Sequence, residues 1–332
     1  MALARRSWKI EPARAGVRLD HFLAEALPVA LGREISRSQV RRMIMAGAVA
    51  RNGRRERIAS ITLAAGTRVE ADIDLGRLDS GGPSGMRRPV VKAFAWTPSR
   101  ILFEDEWLIV VDKPAGLPTQ PTLDAARASV FGTLSEYLQQ RDGGKPYLGL
   151  HHRLDRDTSG VLLFTKAPRA NAGVAALFAG RLMQKTYQAL AVAGPAGPDA
   201  WEVRNHLGVV GRVGKSSRFG AVRSGGDAAH TSFRVLERLP GALLVEAQPH
   251  TGRTHQIRVH LAEGGHPILG DVFYGGPANG RDGRGAPVPI ARVMLHAARL
   301  AFPHPVTQAA MTIGSAVPED FADWRRQLER GE

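Results

Sequence analysis

The chain has 332 residues, no cysteine, a formal net charge of +14 and a sequence pI of about 11.0. The lack of cysteine excludes disulfides, thiolate metal sites and cysteine nucleophiles, and apolar runs such as Val161-Leu162-Leu163-Phe164 have strand length, not membrane-spanning length. The charge favours a polyanionic partner, while aromatic residues, at 6%, are too few for a broad base-stacking platform.

From the N-terminus, Arg5-Arg6 is followed by Ser7-Trp8-Lys9-Ile10-Glu11-Pro12 in place of an apolar stretch, so no export signal is read. The expected state is a cytoplasmic monomer. Residues 1–74 hold 14 Lys/Arg against 8 Asp/Glu, a basic module of +6. Leu19, Phe22, Leu23 and Leu27 are spaced for one helix face. A second helix is expected from Ser36 as N-cap, carrying Val40, Ile44 and the basic pair Arg41-Arg42. Gly47-Ala48-Val49 and Arg51-Asn52-Gly53 read as a short strand entering a turn. Basic side chains repeated on a helix face suit phosphate contacts and equally suit a solvated face. Gly16-Val17-Arg18-Leu19-Asp20, Ser36-Arg37-Ser38, Gly47-Ala48-Val49, Asn52-Gly53 and Gly66 before a last strand together resemble the S-four (alpha-L) RNA-binding domain. The resemblance implies that Arg37, Arg41 and Arg42 lie on an RNA-binding surface. It sets a small α+β domain at residues 16–74.

Ser80-Gly81-Gly82-Pro83-Ser84-Gly85 marks residues 75–98 as a flexible linker, and a larger domain follows over residues 99–325. Ile101-Leu102-Phe103 and Leu108-Ile109-Val110-Val111 flank a polar turn, as in a hairpin, and Lys113-Pro114-Ala115-Gly116 supplies a tight turn. Residues 167–182 set Val174, Leu177, Phe178 and Leu182 on one helical face as core packing. Strands are expected at 185–194, 230–237 and 242–248, and a helix over 253–263 closed by Gly264-Gly265. Residues 208–230, with Arg212, Lys215, Arg218 and Arg223 among glycines, suit a mobile RNA-contacting insertion or a plain surface loop; the glycine-rich run 275–285 reads as a flexible loop. Strands and helices mix without βαβ alternation, so the fold class is α+β with a central, mostly antiparallel sheet.

Two constellations carry chemistry. His151-His152-Arg153-Leu154-Asp155-Arg156-Asp157-Thr158-Ser159-Gly160 sets two carboxylates among arginines and histidines just before an apolar strand. An extended backbone there would face Asp155 and Asp157 the same way. Such a set suits a catalytic carboxylate or a structural turn network. In Thr251-Gly252-Arg253-Thr254-His255-Gln256-Ile257-Arg258-Val259-His260, Thr254 and Arg258 are spaced to share a helix face, from which Arg258 is expected to meet a carboxylate of the first loop bidentately. His255 and His260 do not share a face and no His-x-x-x-His occurs, so they are read as packed histidines and no metal site is expected. No Walker lysine motif or dinucleotide glycine fingerprint is present, and no cofactor is expected.

His152 to Gly160 resembles the defining motif of the RluA-type (ribosomal large-subunit) pseudouridine synthases. Lys185-Thr186-Tyr187 resembles their second motif and Gly252 to His260 their third; Asp112-Lys113-Pro114-Ala115-Gly116, His266-Pro267-Ile268-Leu269-Gly270-Asp271 and Leu295-His296-Ala297 fit in order. His151 departs from the pattern, which has an apolar residue there, so the strand before the loop is expected to pack differently. Leu117-Pro118-Thr119-Gln120-Pro121 is assigned no role. The resemblance implies an isomerase that converts uridine to pseudouridine in structured RNA, large-subunit ribosomal RNA before transfer RNA. In it Asp155 is the catalytic carboxylate, acting as nucleophile or as base, and Arg258 its ion-pair partner. Tyr187 is the ring that stacks on the flipped base, Arg153 fills the vacated space and Ile257 walls the pocket. Rival readings are a non-catalytic RNA-binding or ribosome-assembly factor and a metal-dependent nuclease using Asp155 and Asp157.

Overall fold

The computed structural model describes residues 3–32, 35, 39–40, 43–44, 47–56, 58–59, 61–74, 94–121, 128–194, 196–213, 216–281 and 286–330. Contacts divide the chain into two units, residues 1–90 with 123–127, and residues 91–122 with 128–332. Among the described residues no helix is long and apolar enough to cross a membrane.

The first unit contains β1 (Leu3–Lys9), α1 (Leu19–Leu31), β2 (Val49–Arg51), β3 (Arg54–Glu56) and β4 (Arg68–Asp74), with an antiparallel sheet in the order β1-β4-β2-β3. The apolar face of α1 buries Leu19, Phe22, Leu23 and Leu27 against Val49, Val69, Ala71 and Ile73. The sequence pattern does not announce strand β1, because Arg5, Arg6 and Lys9 interrupt its alternation; Trp8 meets the Phe22 ring edge-on at 6.1 Å between centroids. Asn52 and Gly53 both take positive φ, 50° and 78°, the mirror-image turn that matches the twist of a two-residue hairpin. Within the Gly16 to Asp20 motif, Arg18 donates two hydrogen bonds of 3.0 Å to the buried Asp20 carboxylate. Residues 39–40 and 43–44 are helical, with Val40 and Ile44 buried. Ser36, Arg37, Arg41, Arg42 and most of the expected linker lie outside the described residues.

The second unit opens with β5 (Ile101–Glu104), β6 (Leu108–Lys113), α2 (Val130–Asp142), β7 (Gly149–Leu150), β8 (Ser159–Thr165) and α3 (Asn171–Ala179). Strands β9 (Gln184–Val192), β10 (Ala200–Val213), β11 (Ser216–Ala221), β12 (Asp227–Leu239) and β13 (Ala242–Pro249) follow, then α4 (Gln256–Glu263). A small pair, β14 (Asn279–Arg281) and β15 (Pro287–Pro289), precedes β16 (Leu295–Pro303), β17 (Ala310–Gly314) and α5 (Glu319–Glu329). The large sheet runs β11-β10-β12-β13-β9-β16-β8-β6-β5, with β17 on β16 and β7 on β8. Among the described strands, β16 with β8 is its one parallel pairing, so the sheet is mostly antiparallel, as expected. Every residue of β8 is buried, because both faces are covered: Leu162 and Phe164 pack with Leu134 and Leu138 of α2, and Val161 and Leu163 with Val174 and Leu177 of α3.

Three expectations need correction. The helix over 167–182 is shorter: α3 stops at Ala179, Arg181 turns the chain with a φ of 58°, and Leu182 is 54% exposed instead of joining the core. Residues 208–230 are largely strand, from β10 through β11 into β12, because the glycines sit within or between paired strands. Part of the run 275–285 is also paired, Asn279 to Arg281 lying against Pro287 to Pro289.

Candidate active site

A cavity of about 420 Å³ opens where the loop into β8 meets β9 and α4. Its loop is tied down from several sides. Lys113, fully buried at the end of β6, donates to the carbonyls of Pro114 (2.9 Å), Arg156 (2.9 Å) and Thr158 (2.7 Å). The Thr119 hydroxyl donates to the Leu154 carbonyl at 2.8 Å and accepts from the Leu154 N–H at 3.1 Å. The Gly116 N–H donates to the Arg156 carbonyl at 2.9 Å. Burial pulls the Lys113 ammonium down to about 7, against the charges of Asp157 and Asp155, yet its three carbonyl acceptors match the three donors of the protonated form. Thr119 belongs to the stretch to which the sequence assigns no role.

The loop turns at Arg156-Asp157, where the Thr158 N–H donates to the Asp155 carbonyl at 3.2 Å. The two carboxylates therefore take different partners. Asp157 accepts 2.8 and 2.9 Å hydrogen bonds from Arg156, while Asp155 Oδ2 accepts from Arg258 Nη1 at 3.1 Å. Among the described residues Asp155 Oδ1 accepts no hydrogen bond. The side chain is 22% exposed, so it is reachable from the cavity that it lines.

Arg258 lies on α4, which begins at Gln256 and not at Arg253. Gln256 Oε1 accepts from the Arg253 N–H and the Thr251 hydroxyl, and His255 takes a left-handed φ of 57°. Thr254 therefore precedes the helix and shares no helix face with Arg258. The guanidinium fork of Arg258 grips the buried Asp271, Nε to Oδ2 at 2.7 Å and Nη2 to Oδ1 at 2.8 Å. That leaves only Nη1 for Asp155, so the bidentate contact expected of Arg258 is made to a different carboxylate. Burial opposes the Arg258 charge, but Asp271 and Asp155 outweigh it and raise the pKa.

Tyr274 stacks over Arg258, 5.0 Å from ring centroid to guanidinium carbon, and its hydroxyl lies 2.7 Å from His255 Nδ1. His255, read from the sequence as a packed histidine, also sets Nε2 3.8 Å from Asp155 Oδ2. Burial lowers its pKa despite the Asp155 charge. His260 is a packed histidine, with Nδ1 2.9 Å from the Thr231 hydroxyl and Nε2 3.0 Å from Asn205.

Tyr187 on β9 lines the same cavity, and burial, with the Asp155 charge adding to it, keeps its phenol protonated well above the usual range. Exposed Arg153 and buried Ile257 complete the lining expected from the sequence. Lys185, two residues before Tyr187, is drawn down to about 8 by burial and by Arg253. His151 packs as a polar residue, Nε2 lying 3.3 Å from both the Thr165 hydroxyl and Asn171 Oδ1. Ala297 of β16 pairs with Gly160 on one side and Tyr187 on the other, so the central strand sets the spacing between loop and ring.

A family model described as RNA pseudouridylate synthase matches residues 107–263, and an S4 domain model matches residues 17–69. A ribosomal large subunit pseudouridine synthase C from Vibrio vulnificus (strain CMCP6) is 33% identical, covering 94% of this chain and 93% of its own length. A ribosomal large subunit pseudouridine synthase D from Zymomonas mobilis is 31% identical, covering 92% of each. The solved structure of human RNA pseudouridylate synthase domain containing 4 is 27% identical, with a TM-score of 0.55 over 69% of this chain and 93% of that one. Identity of this depth across nearly the whole length settles the lineage: the chain belongs to the RNA pseudouridine synthase family, as an enzyme that isomerises uridine in RNA.

Proposed function

We propose that Asp155 is the catalytic carboxylate and that the substrate is large-subunit ribosomal RNA. One observation carries the assignment: among the described residues lining the cavity Asp155 is the single acid, set among Arg153, Arg181, Lys185, Arg253 and Arg258. A cationic cavity accepts a nucleotide's phosphates, and its lone carboxylate is the group available to react. The reaction breaks the bond between uracil N1 and the sugar, turns the base, and joins carbon five to the same sugar carbon. The proton leaving carbon five is balanced by one gained at N1, so no group is added and no redox partner is needed.

Asp155 Oδ2 is held by Arg258, and Oδ1 is free to attack the sugar or to withdraw its proton. Tyr187 stacks on the flipped base, Ile257 closes the apolar side, and Arg153 at the mouth takes the space the base leaves. Removing a base from its stack costs about a few kcal/mol, which these contacts offset. Arg37, Arg41 and Arg42 hold RNA phosphates from the S4 region. Ribosomal RNA is favoured over transfer RNA because the synthases C and D above are named for the large ribosomal subunit. The enzyme works as a cytoplasmic monomer, with no metal or organic cofactor in the reaction.

The test is Asp155→Asn together with pseudouridine mapping. The amide keeps the shape but is neither nucleophile nor base, so turnover should fall by on the order of 10³-fold or more with RNA affinity within a few-fold. Comparable turnover by the variant would remove Asp155 from the reaction. A deletion strain should lose a pseudouridine in 23S-type RNA; loss confined to transfer RNA would move the substrate and leave the chemistry standing.

A further inference from the structure

Three neighbouring strands of the large sheet gather two imidazoles and a carboxylate that the proposed reaction does not use. Glu202 on β10, His230 on β12 and His250 just after β13 each offer one ligand atom, and these atoms lie within 4.8 Å of one another. The sheet makes this possible: His230 pairs with Arg204 across β10 and β12, and the His250 N–H donates to the His230 carbonyl at 2.9 Å. His230 Nε2 is buried and faces Glu202 Oε2 at 3.3 Å. Ligands about 2.0 to 2.1 Å from a tetrahedral zinc ion stand about 3.3 Å apart, so this pair is already at coordination spacing.

The rings of His230 and His250 stack with centroids 4.1 Å apart, so the exposed His250 has to turn its ring out of the stack before both imidazoles can ligate one ion. The Ser232 hydroxyl, 2.8 Å from His250 Nε2, donates to Glu202 Oε1 at 3.0 Å and so orients the carboxylate, the kind of outer contact that steadies a metal ligand. Arg204 reaches Glu202 Oε2 at 2.8 Å, but its side chain is 69% exposed and free to yield to a cation. Imidazole with carboxylate suits zinc better than calcium, magnesium or monovalent copper.

We propose that Glu202, His230 and His250 form a zinc site, with water as the fourth ligand. The site ties together β10, β12 and the end of β13 at the cavity, since His250 also lines it. It departs from the expectation of no metal, which rested on local His spacing; these ligands are far apart in sequence and only the sheet brings them together. It is separate from the proposed chemistry, and zinc-free enzyme should still isomerise uridine.

The test uses tag-free full-length protein, stripped by chelator and titrated with zinc chloride against a chromophoric competitor. About one equivalent should bind at micromolar affinity or tighter, and the His230→Ala/His250→Ala double variant should bind at least tenfold more weakly. Glu202→Gln should weaken binding to a lesser degree. Circular dichroism in chelator checks that the variants fold, and should they not, cobalt substitution of the unaltered protein reads the same site by its visible bands. Zinc affinity unchanged in the folded double variant, no zinc retained by the unaltered protein, or an octahedral cobalt spectrum would each overturn the proposal.

Discussion

Arg258 divides its guanidinium between a buried carboxylate, Asp271, and the reachable Asp155. The fork on Asp271 fixes where Nη1 points, so Asp271 acts on Asp155 through Arg258. Asp271→Asn should keep the shape, weaken the fork and let the guanidinium drift, lowering kcat by about 10- to 100-fold with KM little changed. Steady-state tritium release measures both constants. A variant that only melts earlier, with kcat intact, would make Asp271 a purely structural partner. Part of this site was legible: Asp155 and Arg258 sit in dense local motifs, while Tyr187 was singled out only by the family resemblance. Which acid takes the fork was not, because Asp271 meets Arg258 only after the chain has rounded α4, and local spacing says nothing of such a pairing. Thr119 was hidden for the same reason, since a threonine in a proline-rich turn has no pattern to announce it.

Elements with a clean period were readable and those bounded by special backbone were not. The four leucine and phenylalanine positions of α1 emerge from spacing alone, and the uninterrupted apolar run of β8 reads as a buried strand by its length. The start of α4 depends instead on a left-handed histidine and a glutamine cap, and the end of α3 on a left-handed arginine. Backbone geometry also sets the join between loop and sheet. Gly160, at a φ of 108°, lies so close to β16 that an added Cβ would stand 2.2 Å from the Ala297 carbonyl oxygen. Gly160→Ala should therefore break the short parallel pairing of β8 with β16 and destabilise the protein by about 3 kcal/mol or more, from backbone strain and overpacking together. Chemical denaturation reads it directly. An unchanged midpoint and slope would mean that the two strands separate without cost.

At the scale of the whole molecule, charge is unevenly distributed: residues 1–74 carry 14 Lys/Arg against 8 Asp/Glu, so +6 of the net +14 lies in under a quarter of the chain. The S4 match covers residues 17–69 of this segment, while every described residue lining the cavity belongs to the second unit. Such a division predicts an electrostatic anchor separate from the chemistry. For each RNA phosphate that residues 1–74 neutralise, their deletion should reduce the log–log salt slope of RNA binding by roughly 0.7 to 0.9. The described residues of the Asp155 centre all belong to the second unit, so kcat at saturating RNA should be preserved and the defect should appear as a raised KM. Kinetics of the truncated enzyme on full-length RNA at two salt concentrations separate the alternatives. A fall in kcat would mean that the module also orders the cavity, and an unchanged affinity and salt slope would sink the anchor altogether.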